Sequence, residues 1–283
     1  MGARLINGLV VLLMALLGRL SARQRQRFAG IVAPLILRLV RRTDARLAAN
    51  LALALPQLDA AQRRSLALSS YRNICLGVLD TFWLDKLQLD IEFSDSAARR
   101  IIEGGGGASI VTLHMGCYEV VALAVQRLTG RSSTMSNIPS YLNCVQRQYE
   151  AVGIECIHKK KPGGFFELIR AARRGAYVTL HGDHYGSDMP VSFFGQATQA
   201  PSGAVMLAAL SSKPLLLGYA VLSEAGRYRV VFETLVEHPL PRQPAELQWA
   251  MGRVYRRFEQ VIRQHPEHWY WSYKRWRTPL AAT

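Results

Sequence analysis

The chain reads as an α/β protein, with a central, mostly parallel sheet flanked by helices and an N-terminal helical, membrane-associating region. Three observations predict this. From residue 91 onward, short β-branched runs alternate with helical stretches, the pattern of a parallel sheet with crossover helices. Glycines punctuate the ends of those helices, at Gly130, Gly153 and Gly175, where a left-handed residue closes a helix at no steric cost. Residues 1–90 are dominated by Ala, Leu and Arg and are poor in β-branched residues after Val40, which favours helix. The division expected is 1–90 as the helical region and 91–283 as the α/β domain.

Taken in order, Pro56 closes one helix and Asp59 caps the next, which runs through Arg72 to about Trp83. Ile91 to Phe93 reads as a short strand. Ser94 is expected to cap a helix to Ile102, which Gly104 to Gly107 end. The run Ala108-Ser-Ile-Val-Thr-Leu113 reads as a buried strand. Helices follow over 119–128, 142–151, 165–174 and 202–211, with strands at 132–135, 154–158 and 177–180 between them. Residues 215–222 and 227–233 form a strand pair across Ala225-Gly226, and 245–264 a last amphipathic helix.

Composition narrows the class. Hydrophobic residues make up 49% and charged residues 19% of 283, a folding composition rather than a disordered one. The net charge of +15 calls for an anionic partner. Nine Arg against the single acid Asp44 fall in residues 1–50, interleaved with apolar runs. That pattern suits an anionic membrane surface better than nucleic acid, for which no recognition motif appears. The apolar run Leu5–Leu17 is thirteen residues, short of the ~20 that span a bilayer. A second run, Phe28–Val40, carries Pro34 and Arg38. Both read as helices lying in the interface. No cleavage site for a removed leader follows the first. Cys75, Cys117, Cys144 and Cys156 have no zinc spacing and read as reduced thiols.

The chemistry is carried by Leu113-His-Met-Gly-Cys-Tyr-Glu119. His114 follows a strand, at the carboxyl edge where α/β sheets bind ligands. Glu119 lies a turn into the next helix, from where its carboxylate can return to the imidazole, fix its tautomer and raise the basicity of the free nitrogen. Gly116 permits a sharp turn and close approach to a ligand, and the helix N-terminus offers N–H groups to an anion. His181, Asp183 and His184, with His114 or His158, raise a metal reading, but the string is too weak to carry one and no metal or cofactor is expected. Lys159-Lys160-Lys161 could meet phosphate or an acidic carrier, or be a solvated loop. The Gly104–Gly107 run lacks the Lys-Ser/Thr of a phosphate loop. Trp269, Tyr270, Trp271, Tyr273 and Trp276 beside Lys274, Arg275 and Arg277 form an interfacial belt or core packing.

These motifs together resemble the bacterial lipid A biosynthesis (late) acyltransferase family, within the lysophospholipid acyltransferase-like group. The resemblance rests on His114-x4-Glu119, on Arg46…Asn50-Leu51…Pro56, and on Gly182-Asp183-His184-Tyr185-Gly186. It extends through Val191-Ser-Phe-Phe-Gly195, Thr198 to Ala208, Gly226-Arg-Tyr228 and His265-Pro-Glu-His-Trp-Tyr-Trp271. It implies acyl transfer from a thioester, on acyl carrier protein or acyl-CoA, to a hydroxyl of a lipid or glycolipid at the cytoplasmic face of the bacterial inner membrane. His114 would be the general base and Glu119 its partner. Asp183 would shape the substrate site, with Gly116 and an anion-binding Arg147. The departures, Cys117-Tyr118, Ser136 to Tyr141 and His184, cluster on the acceptor side. An amino or other lipid acceptor, or an inactive lipid-binding member, is the alternative.

Overall fold

The computed structural model describes residues 2–138 and 143–277. Pro139, Ser140, Tyr141 and the side chain of Cys144, singled out above, lie outside the described residues.

Four helices come first: α1 (Gly2–Leu17), α2 (Ala22–Leu39), α3 (Arg41–Ala54) and α4 (Ala60–Asp80). Ser21 with Gln24 and Asp59 with Gln62 form capping boxes that start α2 and α4, each satisfying amide donors that a helix start leaves free. The α1 side chains Leu5, Leu9, Leu12, Leu13 and Leu16 are about half exposed or more, at the spacing of one helix stripe. Among the described residues no helix is long and apolar enough to cross a membrane.

The remainder is a seven-stranded sheet in the order β1-β9-β8-β2-β5-β3-β4. In chain order these are β1 (Gln88–Phe93), β2 (Ala108–Thr112), β3 (Ser132–Ser136), β4 (Glu155–His158), β5 (Tyr177–His181), β8 (Leu215–Glu224) and β9 (Arg227–Val236). Every pairing is parallel except β8 with β9, joined by the tight Ala225-Gly226 turn. Central β2 is buried at all five positions, as strands covered on both faces must be. The flanking helices are α5 (Ser96–Glu103), α6 (Val120–Thr129), α7 (Asn143–Ala151), α8 (Gly164–Arg173), α9 (Gly203–Ser211) and α10 (Pro244–Gln264).

Two local expectations are corrected. The cap of α5 is Asp95, not Ser94. Its carboxylate accepts from the Ala98 amide and also from the amide and hydroxyl of Thr234 on β9, so it ties helix to sheet as well as capping. A hairpin of β6 (Met189–Phe193) and β7 (Gln196–Ala200) was not anticipated. Its turn places Phe194 and Gly195 both at positive φ, a conformation Phe seldom adopts. Helices α2 to α4 are not a separate layer. Leu37, Leu47, Leu51 and Ala67 share one core with Val111 and Leu113 of the sheet and with Trp269 and Trp271.

Candidate active site

The register of two neighbouring strands builds the site. β2 and β5 run parallel with Thr112 opposite His181, and Gly182 N–H donates to the Thr112 carbonyl at 3.0 Å. Two residues beyond that pair, the chains deliver His114 and Asp183 side by side. Asp183 Oδ1 lies 2.7 Å from His114 Nδ1, and Oδ2 accepts from the His114 amide at 2.9 Å. Trp269 Nε1–H completes the set, donating to Oδ2 at 2.8 Å. Asp183 is fully buried. Burial pushes its carboxyl upward, but the imidazole and hydrogen bonds of His114 outweigh this and hold it well below the usual carboxylate range. An ionised acceptor on Nδ1 fixes that nitrogen as N–H and leaves Nε2 basic. Among the described residues Nε2 has no hydrogen-bond partner.

Trp269 reaches this position because the C-terminal segment is gripped from several sides. Met115 bridges to Trp269, Gly116 N–H donates to His268 O, and Tyr270 N–H donates to His114 O. Asn50 Nδ2 donates to the carbonyls of Trp271 and Tyr273 at 2.7 and 2.8 Å. Arg46 bonds Ser272 O and Asn73 bonds Glu267 O. The Arg46…Asn50 pair and the aromatic run thus meet, although more than 200 residues separate them. Trp269, Trp271 and Arg275 are fully buried, so core packing holds for them and an interfacial belt does not. Arg275 donates to Thr198 Oγ1 and Tyr255 OH and lies over the rings of Phe193 and Tyr255.

A cavity of about 340 Å³ opens on His114, lined by Tyr118, Glu119, Tyr149 and His181 near the imidazole and by Val78, Phe82, Met135, Ile138 and Val145 beyond. Glu119 lies in this cavity wall, but the contact expected of it belongs to Asp183. Its carboxyl accepts instead from Tyr149. Burial raises its pKa, with the Tyr149 hydrogen bond and the charge of His114 opposing. Burial also keeps the Tyr118 phenol protonated.

The other residues expected at substrate, Asp183, Gly116 and Arg147, do not line this cavity. Asp183 lies behind the imidazole with both oxygens occupied. Gly116 takes a positive φ of 52°, as its sharp turn requires, but its backbone is approached by α4. A Cβ on Gly77 would come within 2.2 Å of the Gly116 carbonyl. The amides of His114, Met115 and Gly116 all bond within the protein, so they are not free to receive an anion. Arg147 is exposed on α7, outside the cavity lining.

Sequence reasoning missed the ring stack. His184 lies face to face with His114 at 3.6 Å and 4°, and on its other face with Tyr273 at 3.7 Å and 8°. His181 stacks on His114 at 4.2 Å. Ligand atoms of His114, Asp183 and His184 lie within 4.8 Å of one another. Stacked parallel rings carry parallel in-plane lone pairs, however, which do not converge on one ion, and Asp183 is already committed. The stack therefore reads as packing. Burial, then the charge of His114, pushes the His184 imidazole down to about 3 and holds His181 well below its ordinary value. His158 bonds Ile138 O, and Lys161 pairs with Glu167 at 2.8 Å. Cys75, Cys117 and Cys156 are free thiols.

No individually curated protein matches the chain. The family model of bacterial lipid A biosynthesis acyltransferases matches residues 3–278, and the chain, matched over nearly its whole length, belongs to that family, acyltransferases acting on a lipid-type acceptor.

Proposed function

We propose that the chain transfers a fatty acyl group from a thioester, on acyl carrier protein or coenzyme A, to a hydroxyl of a lipid A-type or related glycolipid, with His114 as general base. The reading is carried by the His114–Asp183 pair, 2.7 Å apart, whose imidazole lines a partly apolar cavity with the carboxylate buried behind it. Nε2 takes the acceptor's hydroxyl proton, and the oxygen attacks the thioester carbonyl. The tetrahedral intermediate collapses with cleavage of the C–S bond. The departing sulfur recovers the proton from the imidazolium. Asp183 orients the ring and stabilises its charged form, as the carboxylate of a catalytic triad does. Glu119, in the cavity wall, adds a second attraction for the imidazolium. The Tyr118 O–H, kept protonated by burial, is the donor available to the developing oxyanion. The acyl chain lies along Val78, Phe82, Met135, Ile138 and Val145.

The exposed leucine stripe of α1 and the arginines of residues 1–50 support a reading of this chemistry at the cytoplasmic face of the inner membrane, with the helical region 1–90 as the contact. The test is lipid mass spectrometry of cells whose own copy is deleted, expressing the native chain or His114→Ala at equal level. The expected result is a lipid heavier by one acyl group with the native chain only, turnover falling about 100-fold or more in the variant. Equal acylation by a folded His114→Ala would overturn the assignment.

A further inference from the structure

A second concavity, larger than that at His114, lies between α2, α3 and α4, with a volume of about 650 Å³. Its floor is apolar, formed by Leu37, Ala67 and Leu68. Its rim carries three cations, Arg38, Arg63 and Arg64, against one acid, Asp44. Among the described residues none of the three guanidinium groups makes an ion pair or hydrogen bond. Arg63 and Arg64 lie one turn into α4, near the positive end of its dipole, where a cation gains nothing from the helix. Three guanidinium groups around an apolar floor, with no internal partner, form a receptor for an anion that carries hydrocarbon.

The position of the groove says where that anion comes from. Arg38 is three residues from Leu35 and seven from Ile31, so it borders the stripe Ile31, Leu35, Leu39 on α2. These three are 71%, 52% and 74% exposed. Nothing in the described fold covers them. An apolar ridge beside an arginine-rimmed groove matches the section of a bilayer surface, with the ridge at acyl-chain depth and the cations at phosphate depth. Residues 22–72 carry ten Arg and only Asp44 and Asp59 as acids, which extends the positive field around the groove. We propose that this groove binds the headgroup of an anionic phospholipid, as a docking site apart from the catalytic cavity. The proposal rests on the membrane-surface reading above.

Sedimentation of the full chain with vesicles tests it. The probes are vesicles of phosphatidylcholine alone and of phosphatidylcholine with about one third phosphatidylglycerol. Each arginine near an anionic surface contributes roughly fivefold in affinity. The triple variant Arg38→Gln/Arg63→Gln/Arg64→Gln should therefore bind the anionic vesicles about 100-fold more weakly, with binding to the neutral vesicles unchanged. A control triple variant, Arg170→Gln/Arg174→Gln/Arg256→Gln, removes the same charge elsewhere on the exposed surface and should bind as the native chain does. Ala52→Trp fills the groove from α3 without changing charge and should weaken anionic-vesicle binding at least fivefold. Native binding to anionic vesicles that survives the groove variants, or falls equally in the control, overturns the groove and leaves the membrane reading standing. Failure of the native chain to bind either vesicle overturns the membrane reading itself. Displacement by millimolar inorganic phosphate would assign the groove to free phosphate and overturn the lipid.

Discussion

At the scale of single residues, two carboxyls compete for the role of partner to His114, and geometry separates them. Asp183 is on Nδ1 at 2.7 Å, whereas Glu119 accepts from Tyr149 across the cavity. Asp183→Asn should therefore lower kcat by about 10³-fold or more, because an amide can hold the wrong tautomer. Glu119→Gln should cost less, about tenfold to 100-fold, since it loses only an attraction for the imidazolium. Steady-state kinetics of the two variants checks this, and the reverse order would return the orienting role to Glu119. His184 supplies a second residue-scale expectation. Its folded pKa of about 3 lies below the ordinary value near 6.5. Folding thus favours the neutral ring, and the unfolded chain takes the proton first as pH falls. Stability from this residue is whole above about pH 6.5 and is lost toward pH 3, at about 1.4 kcal/mol per pH unit. Urea unfolding between pH 7.5 and 4.5 should show a shallower loss in His184→Gln. Raised carboxyls such as Glu119 act with the opposite sign in both proteins, so the difference between the two slopes isolates the imidazole.

At the scale of elements, the helical region is fastened to the sheet by buried polar contacts. Arg25 on α2 reaches Asp80 at the end of α4 at 3.4 Å, Tyr228 of β9 donates to the same carboxylate at 2.7 Å, and the guanidinium lies over Trp83. Both charged groups are buried. Burial pushes the Asp80 carboxyl up, with Tyr228 and Arg25 opposing. Arg25→Ala should therefore destabilise the protein by about 3 kcal/mol at neutral pH, through an uncompensated buried charge. The loss should be smaller at pH 5, where Asp80 can protonate in the folded state. Chemical denaturation at the two pH values measures it, and a pH-independent loss would assign the effect to packing over Trp83 instead. The adjoining Gly77–Gly116 contact does structural work without charge, since only a glycine at 77 leaves room for α4 to touch the Gly116 carbonyl in the turn that follows His114.

At the scale of the whole molecule, apolar surface that the fold does not use gathers on α1 and α2. Leu9, Leu12 and Leu16 are 58%, 59% and 53% exposed, which in a soluble monomer is a large unpaired stripe. Burying a leucine side chain releases about 1.5–3 kcal/mol. Replacing all three with serine should reduce partitioning to neutral vesicles more than 100-fold while leaving the fold's melting temperature within a few degrees. Unchanged partitioning would mean that the stripe meets protein rather than lipid. The cavity at His114 and the arginine-rimmed groove share α4 in their walls, so one helix connects the histidine proposed as general base to the surface proposed to meet the membrane.

Much of the α/β order was legible because the central strands β2 and β5 carry β-branched residues and most of the helices between strands end at or beside a glycine. Those are local signals, and β2 through β5, with α6 and α8, fell where they predict. The hairpin over 189–200 was not legible, since its turn uses Phe194 at positive φ, against residue preference, with the Phe194 amide held by Glu259 on α10. His114 was legible from its place after a buried strand. Its partner was not, because spacing along the chain favours Glu119 at five residues, whereas the Thr112–His181 register of two parallel strands brings Asp183 from 69 residues away. The sequence by itself determined the alternation of strands and helices along the chain, the position of His114 after a buried strand, and the positive charge. The tertiary structure alone decided which carboxylate meets the imidazole, that the C-terminal tryptophans are core, and which apolar residues stay exposed. Those outcomes depend on strand pairing and burial between distant segments, which no local pattern encodes.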